Sequence, residues 1–257
     1  MNASLRFILA ALLLVSAVPA QADKTSPAQE MAKPGESTEP PKPRGAPVAV
    51  VSQLELPRAG GVLVFGADGI GLDLVRALVA KANHVTVVTD DEAKTRDLAA
   101  AGATVMKANL ADPESLKAVF TSAPFRVVIS TVGELDAAPD DAVDNKHAID
   151  ATKAAGLERF IMISRIGVGD SAGAPPWYVR LPVKTFSGGV LDADRAAEEY
   201  LRASGLEYTI VRLGGVSYKP ADHTAVLTPD SKVYSQITRS DLAVLLVKCV
   251  DDATAII

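Results

Sequence analysis

Beyond residue 61 the chain switches repeatedly between short apolar runs and stretches in which apolar residues recur every three or four positions. Val62, Leu63, Val64 and Phe65 form the first run, and residues 85–88, 104–107, 126–131, 160–164 and 208–212 repeat the pattern. Short runs of this kind, rich in β-branched residues, predict strands buried on both faces. Between them Leu72, Val75, Leu78 and Val79 share one helical stripe, and further helices are predicted over 93–101, from Pro113, and over 145–155, 192–203 and 242–250. Helix ends are marked chemically. Asp112 before Pro113 is an N-cap followed by a residue whose fixed φ suits the first turn and which has no N–H to leave unpaired. Gly102, Gly156 and Gly205 stand just past helix ends, where a residue of positive φ closes the last turn.

Alternation of strand and helix, with continuously apolar strands, implies an α/β protein with a parallel sheet covered on both faces, in three layers. Right-handed crossovers make such a sheet doubly wound and place ligands at the carboxyl ends of its strands. No repeat of solenoid type is visible.

The first 22 residues follow another pattern. Arg6 gives a small positive start, residues 7–18 form an apolar segment short of a comfortable membrane span, and Ala20-Gln21-Ala22 supplies the small residues of a cleavage site. This predicts a signal peptide over 1–22, cleavage before Asp23, and an exported chain, periplasmic or secreted, with an uncleaved signal anchor as the alternative. No cysteine follows the apolar segment and no Arg-Arg pair precedes it, which argues against a lipoprotein and against the twin-arginine route. Residues 23–60 read as a proline-rich linker with a short lead-in segment over 48–56, because prolines among Lys, Glu, Ser and Thr bury too little apolar surface to fold. The predicted domain is 61–257.

Composition narrows the chemistry. The 257 residues carry a formal net charge of −5, which argues against nucleic acid as a partner. Arg180, Lys184 and Arg195 are interleaved with acidic residues and read as solvated surface. Cys249 is alone, so neither an intramolecular disulfide nor a CxxC pair can form, and its apolar surroundings predict a buried, inert thiol. His84, His147 and His223 are scattered, so no metal is expected.

The turn after the first predicted strand is Gly66-Ala67-Asp68-Gly69-Ile70-Gly71. Glycines here permit a tight turn and let backbone N–H groups approach a pyrophosphate at a helix N-terminus. The turn follows a strand, opens a helix and begins a βαβ unit, so the fold is Rossmann-type. A tight turn that binds nothing would look the same locally.

The domain resembles the atypical short-chain dehydrogenase/reductase group, the NAD(P)H-binding and NmrA-like proteins. The resemblance runs through Val62-Leu63-Val64-Phe65-Gly66-Ala67, Asn109-Leu110-Ala111-Asp112-Pro113, Arg159-Phe160-Ile161-Met162-Ile163-Ser164, Arg195-Ala196-Ala197-Glu198, Tyr208-Thr209-Ile210-Val211-Arg212 and Ile237-Thr238-Arg239-Ser240-Asp241. It implies NAD or NADP as cofactor. Gly66, Asp68, Gly69, Ile70 and Gly71 would hold the pyrophosphate. Asp90 would bond the adenosine ribose and, by repelling a 2′-phosphate, favour NAD; the other role open to Asp90 is helix capping. Asn109 and Leu110 would flank the adenine. Ser130, Thr131, Val132 and Gly133 would line the ribose and nicotinamide side, and Ser164 would face the nicotinamide.

The chain also departs from the family's pattern. Its glycine spacing is GxxGxG where GxxGxxG is usual, and Asp68 stands where Thr or Ser is common. The Tyr-x-x-x-Lys pair of the main dehydrogenase branch is missing: alignment on Arg195-Ala196-Ala197-Glu198 puts Val190 at the tyrosine and Asp194 at the lysine, so no catalytic residue is assigned. Two functions are therefore expected as alternatives. One is an exported NAD(P)H-dependent reductase of a small acceptor such as a quinone or flavin. The other is an inactive Rossmann-fold scaffold or assembly protein, since export would separate the chain from intracellular dinucleotide. The segment 171–189, with Trp177, Tyr178 and Phe186, is expected as a loop over the carboxyl edge. It would be either an aromatic lid on a small apolar substrate or partner site, or a loop pinned down by Trp177 and Phe186; the size of these side chains favours the second.

Overall fold

The computed structural model describes residues 60–252, apart from 67–68, 90, 134–140 and 187 and the side chains of 182–188. The predicted signal peptide, the linker and lead-in up to residue 59, and the residues Asp68 and Asp90 lie outside the described residues.

Strands β1 (Gly61–Phe65), β2 (Val85–Val88), β3 (Thr104–Met106), β4 (Phe125–Ser130), β5 (Arg159–Arg165) and β6 (Glu207–Leu213) form one sheet in the order β3-β2-β1-β4-β5-β6. Every pairing in it is parallel. The order reverses between β1 and β4, so the switch point of this doubly wound sheet lies at their carboxyl ends, where ligands dock in open α/β sheets.

Strand alternation divides the core into two layers. Val62 and Val64 of β1 face α1 (Gly71–Ala80) and α7 (Arg239–Asp251), where they meet Leu74, Leu78, Leu242 and Leu246. Leu63 and Phe65 face the opposite way, toward α3 (Pro113–Ser122), α4 (Asp141–Ala154) and α6 (Gly188–Ala203), and pack with Leu116, Ile149 and Leu201. All four of these β1 residues are completely buried. Each such side chain contributes about 1.5–3 kcal/mol of burial, so β1 anchors both faces.

Helix starts differ most from the sequence reading. α4 begins at Asp141, α6 at Gly188 and α7 at Arg239, each ahead of its first apolar-periodic residue. The first turn of α7 is polar and follows capping chemistry, whereas α6 opens on a Gly-Gly pair. The Thr238 hydroxyl accepts from the Asp241 N–H at the start of α7, and Asp112 caps α3 by accepting from Glu114. The α2 helix (Glu92–Ala100) is capped by Asp91, which accepts from Ala93 and Lys94, so the capping role considered for Asp90 belongs to its neighbour.

The segment 171–189 is not the expected loop. After a 3₁₀ turn over Gly169–Ser171 it folds into α5 (Trp177–Phe186), which runs on closely to α6. The pinning expected of Trp177 is also corrected: its side chain is 71% exposed, because the helix turns it away from the core. The side chain of Phe186 lies outside the described residues. Two short strands, β7 (Val216–Ser217) and β8 (Ile237–Thr238), pair in parallel and bring the start of α7 back to the sheet. Cys249 is buried as the sequence implied, and burial pushes its thiol up, away from the reactive thiolate.

Candidate functional site: the carboxyl edge of the sheet

The ends of β1 and β4 are tied together at the switch point. The Thr131 N–H donates to the Phe65 carbonyl at 2.9 Å, and the Thr131 hydroxyl lies within hydrogen-bond distance of the carbonyls of Phe65 and Gly66. Gly66 has φ +88°, and a Cβ there would stand 2.7 Å from Thr131 Oγ1. Both facts exclude a side chain, so the chain can turn away from β1 only because this residue is glycine. Gly69 follows at φ +54°. Ile70 is the N-cap of α1 and has no polar side chain to cap with, unlike Asp91, Asp112 and Thr238 on α2, α3 and α7. Gly71 is the buried first residue of α1. A helix start without a cap from its own N-cap side chain, preceded by glycines of positive φ, fits a pyrophosphate.

Arg239, the first residue of α7, braces this turn. Its guanidinium donates to the Gly69 carbonyl, lies 3.1 Å from the Asp73 carboxylate in the first turn of α1, and covers the Tyr218 ring. A cation is thereby fixed beside the glycine turn.

On the β4 side, Ser130 is fully buried and its hydroxyl donates to Asn145 Oδ1 at 2.6 Å; the Asn145 amide in turn donates to the Asp141 carbonyl. Gly133 has φ +83°, and a Cβ there would meet Asp141 Oδ2 at 2.7 Å. The side chains of Ser130 and Thr131 therefore hold the loop, leaving the stretch to meet a ligand through its backbone. Asn109, after β3, is exposed, and its side chain accepts from the Ala111 N–H, while Leu110 packs against the α3–α4 layer.

Ser164, near the end of β5, is buried and donates to Glu198 of α6 at 2.7 Å. Glu198 is inaccessible to solvent, and Arg212 on β6 grips both of its oxygens, at 2.8 and 2.7 Å, with Arg202 adding a third guanidinium contact. Burial alone would push the Glu198 carboxyl up, but hydrogen bonds from Arg212 and Ser164 outweigh it and hold the carboxyl below its usual range. Next to Ser164, Arg165 donates to the Gly133 carbonyl and pairs with Asp194 at 2.6 Å. Burial pushes the Asp194 carboxyl up against the pull of Arg165.

Gly133, Ser164 and Arg165 open into a cleft of about 850 Å³, walled by Ile163, Leu213 and Trp177 among others. Pockets that enclose small organic ligands are of this size and this apolar kind.

The parallel sheet thus places Asn109 and Leu110 after β3, Gly66, Gly69, Ile70 and Gly71 after β1, Ser130, Thr131 and Gly133 at the end of β4, and Ser164 on β5. All lie toward one edge. Three side chains at this edge were not singled out from the sequence: Arg165, Glu198 and Arg239. Arg165 directly follows the predicted fifth strand, which was the available signal. Glu198 and Arg239 sit inside the quoted family segments, and only their partners reveal what they do. Among the described residues no group of three His, Cys, Asp or Glu side chains could hold a metal, and no helix is long and apolar enough to cross a membrane.

Comparison with known proteins agrees with this geometry. Residues 66–253 match the model of the NAD(P)H-binding family, and the chain belongs to that family. It is an atypical short-chain dehydrogenase/reductase of the NmrA-like type, and the cofactor of its class is a nicotinamide dinucleotide. The chain is 30% identical over 204 residues to the uncharacterized sugar epimerase YhfK of Bacillus subtilis, covering 74% of this chain and 88% of the relative. Among solved structures it is similar to a putative NAD-dependent epimerase/dehydratase from Bacillus halodurans, at TM-score 0.63 and 28% identity, covering 77% of this chain and 90% of that one. It also shares its fold with ChuY, an anaerobillin reductase of Escherichia coli O157:H7, at TM-score 0.66 and 24% identity, covering 75% of this chain and 91% of that one.

Proposed function

We propose that this chain is an exported NAD(P)H-dependent reductase of a small acceptor, of quinone or flavin type, that works without a Tyr-Lys pair. The observation that carries the reading is the contiguity of Gly133 and Ser164, on the expected nicotinamide side, with the cleft beneath α5. A bound NAD(P)H supplies a hydride. The chain's own contribution is positional. The glycine turn and the start of α1 would receive the pyrophosphate, the backbone around Thr131 and Gly133 would orient the ribose, and apolar walls would keep water from the acceptor. Asp90, directly after β2, would select the adenosine ribose and favour NAD over NADP.

Asp194, at the position of the missing lysine, is taken up by Arg165. No tyrosine hydroxyl beside a lysine can serve there as a general acid, so acceptors that need no protonated side chain to take a hydride suit the site. The engagement of Asp194 also favours a second reading, a scaffold that has kept the fold and lost turnover. Oxidation of NADH and NADPH by the purified chain, followed with quinone and flavin acceptors, separates the two. Turnover above background that disappears in Gly66→Ala supports the reductase, and background rates with every acceptor support the scaffold.

A further inference from the structure

The lining of the α5 cleft is apolar over most of its extent, yet it contains charged residues of one sign only. Among the described lining residues, Arg165 and Arg180 are charged, and no aspartate or glutamate is present. The two arginines differ in placement. Arg165 is fixed at the sheet edge by Asp194 and the Gly133 carbonyl, with its side chain 25% exposed. Arg180 projects from α5 and is exposed, one turn from Trp177. Tyr234 lines the same wall, and burial pushes its hydroxyl up, so it stays neutral and able to donate.

An apolar cleft with an exposed guanidinium at its rim matches a particular ligand chemistry. A neutral hydrocarbon would gain nothing from Arg180, and a cation would be repelled by it. A carboxylate receives two parallel N–H donors from a guanidinium, the geometry that makes such pairs both strong and directional. We infer that the acceptor of this site is an apolar molecule bearing a carboxylate, whose hydrocarbon body lies against Ile163, Leu213 and Trp177 and whose anionic group is held by Arg180 at the rim. Arg165, paired with Asp194, keeps the inner end polar beside Ser164. This rests on the reductase reading of the same cleft, and it adds to the quinone or flavin acceptor of that reading the carboxylate by which the cleft would hold it.

The test compares 2-naphthoate with 2-naphthamide, two probes of one shape that differ in charge, by calorimetry on the full chain. The expected result is that naphthoate binds about tenfold more tightly than naphthamide, and that Arg180→Gln removes most of this preference. Arg180 is exposed, so its substitution leaves the core intact, whereas Arg165→Gln also breaks the Asp194 pair and is used only together with a melting curve. Equal binding of the two probes by the unaltered chain overturns the inference, as does a preference that survives Arg180→Gln. A parallel titration with NADH and NADPH keeps the two claims apart. If the dinucleotides bind and naphthoate has no advantage, the inference falls and the cofactor reading stands. If naphthoate is preferred through Arg180 and neither dinucleotide binds, the anion cleft stands and the cofactor reading falls.

Discussion

Arg239 at the start of α7 lies 3.1 Å from the Asp73 carboxylate on α1, and from there the same guanidinium reaches the Gly69 carbonyl. The contact spans 170 residues of sequence and couples the last helix of the domain to its first turn. It fixes the direction of a carbonyl that would otherwise be free to rotate toward an incoming phosphate.

Arg239→Ala should therefore weaken dinucleotide binding by about tenfold, the equivalent of one charge-assisted hydrogen bond of about 1.5 kcal/mol. Arg239→Lys should recover part of the loss, since a lysine keeps the charge but lacks the planar guanidinium that covers the Tyr218 ring. Fluorescence titration of NADH with the purified variants measures both. Equal affinity for all three proteins would remove Arg239 from the account of the turn.

Gly66→Ala should be costly to the fold and to the site together. The new methyl group would be placed at 2.7 Å from Thr131 Oγ1 on a backbone of φ +88°. Strain of that kind costs about 2 kcal/mol, which lowers the melting temperature of a domain this size by about 4–8 °C. Differential scanning fluorimetry reads the shift. Relieving the contact with Thr131→Ser would not rescue it, because the hydroxyl remains and the positive φ is unchanged.

Glu198 makes stability depend on pH in a defined direction. Its carboxyl is held below the usual value of 4.5 in the folded state, so it releases its proton more readily there than in the unfolded chain. The stability it contributes is fully present above the unfolded value and is lost as pH falls through the lower, folded one. Glu198→Gln leaves the partly buried Arg212 with the exposed Asp170 as its carboxylate partner and should cost about 2 kcal/mol at neutral pH. The gap between the two proteins should narrow as the pH is lowered below 4.5. Urea unfolding at a series of pH values tests this, and a gap that stays constant would mean that Glu198 acts by shape alone.

The sheet was legible in the sequence because strands buried on both faces leave unbroken apolar runs, and all six predicted strands are present in parallel register. Helix ends were legible where chemistry marks them, as at Asp112-Pro113. They were missed at Asp141 and Arg239, where mostly polar first turns carry no periodicity, and at Gly188, where a glycine pair reads as loop. The α5 helix was hidden by Pro175, Pro176 and Pro182, which read as loop punctuation, although Val179 and Arg180 both donate to the Pro176 carbonyl as a helix begins. In the site, the glycine turn and the strand ends could be placed by position alone. Glu198 and Arg239 could not, because an ion pair between distant segments leaves no local trace. Nor could the side-chain roles of Thr131, which ties the ends of β1 and β4, and of Ser130, which bonds Asn145 on α4.

The leader is a separate proposal. If residues 1–22 are a signal peptide, the chain recovered from the envelope fraction of a secreting bacterial host should begin at Asp23. Intact-mass measurement or N-terminal sequencing decides this. A chain that still begins at Met1 would instead indicate a signal anchor, or retention in the cytoplasm.

The claim that carries the rest is that the switch point between β1 and β4 binds a nicotinamide dinucleotide. Titration of the purified chain with NAD⁺, NADH, NADP⁺ and NADPH by calorimetry tests it most directly. Saturable binding of at least one form is expected at micromolar concentration, with NADH ahead of NADPH and Gly66→Ala abolishing the signal. No saturable binding of any form up to about 1 mM, a free energy near −4 kcal/mol, would contradict it.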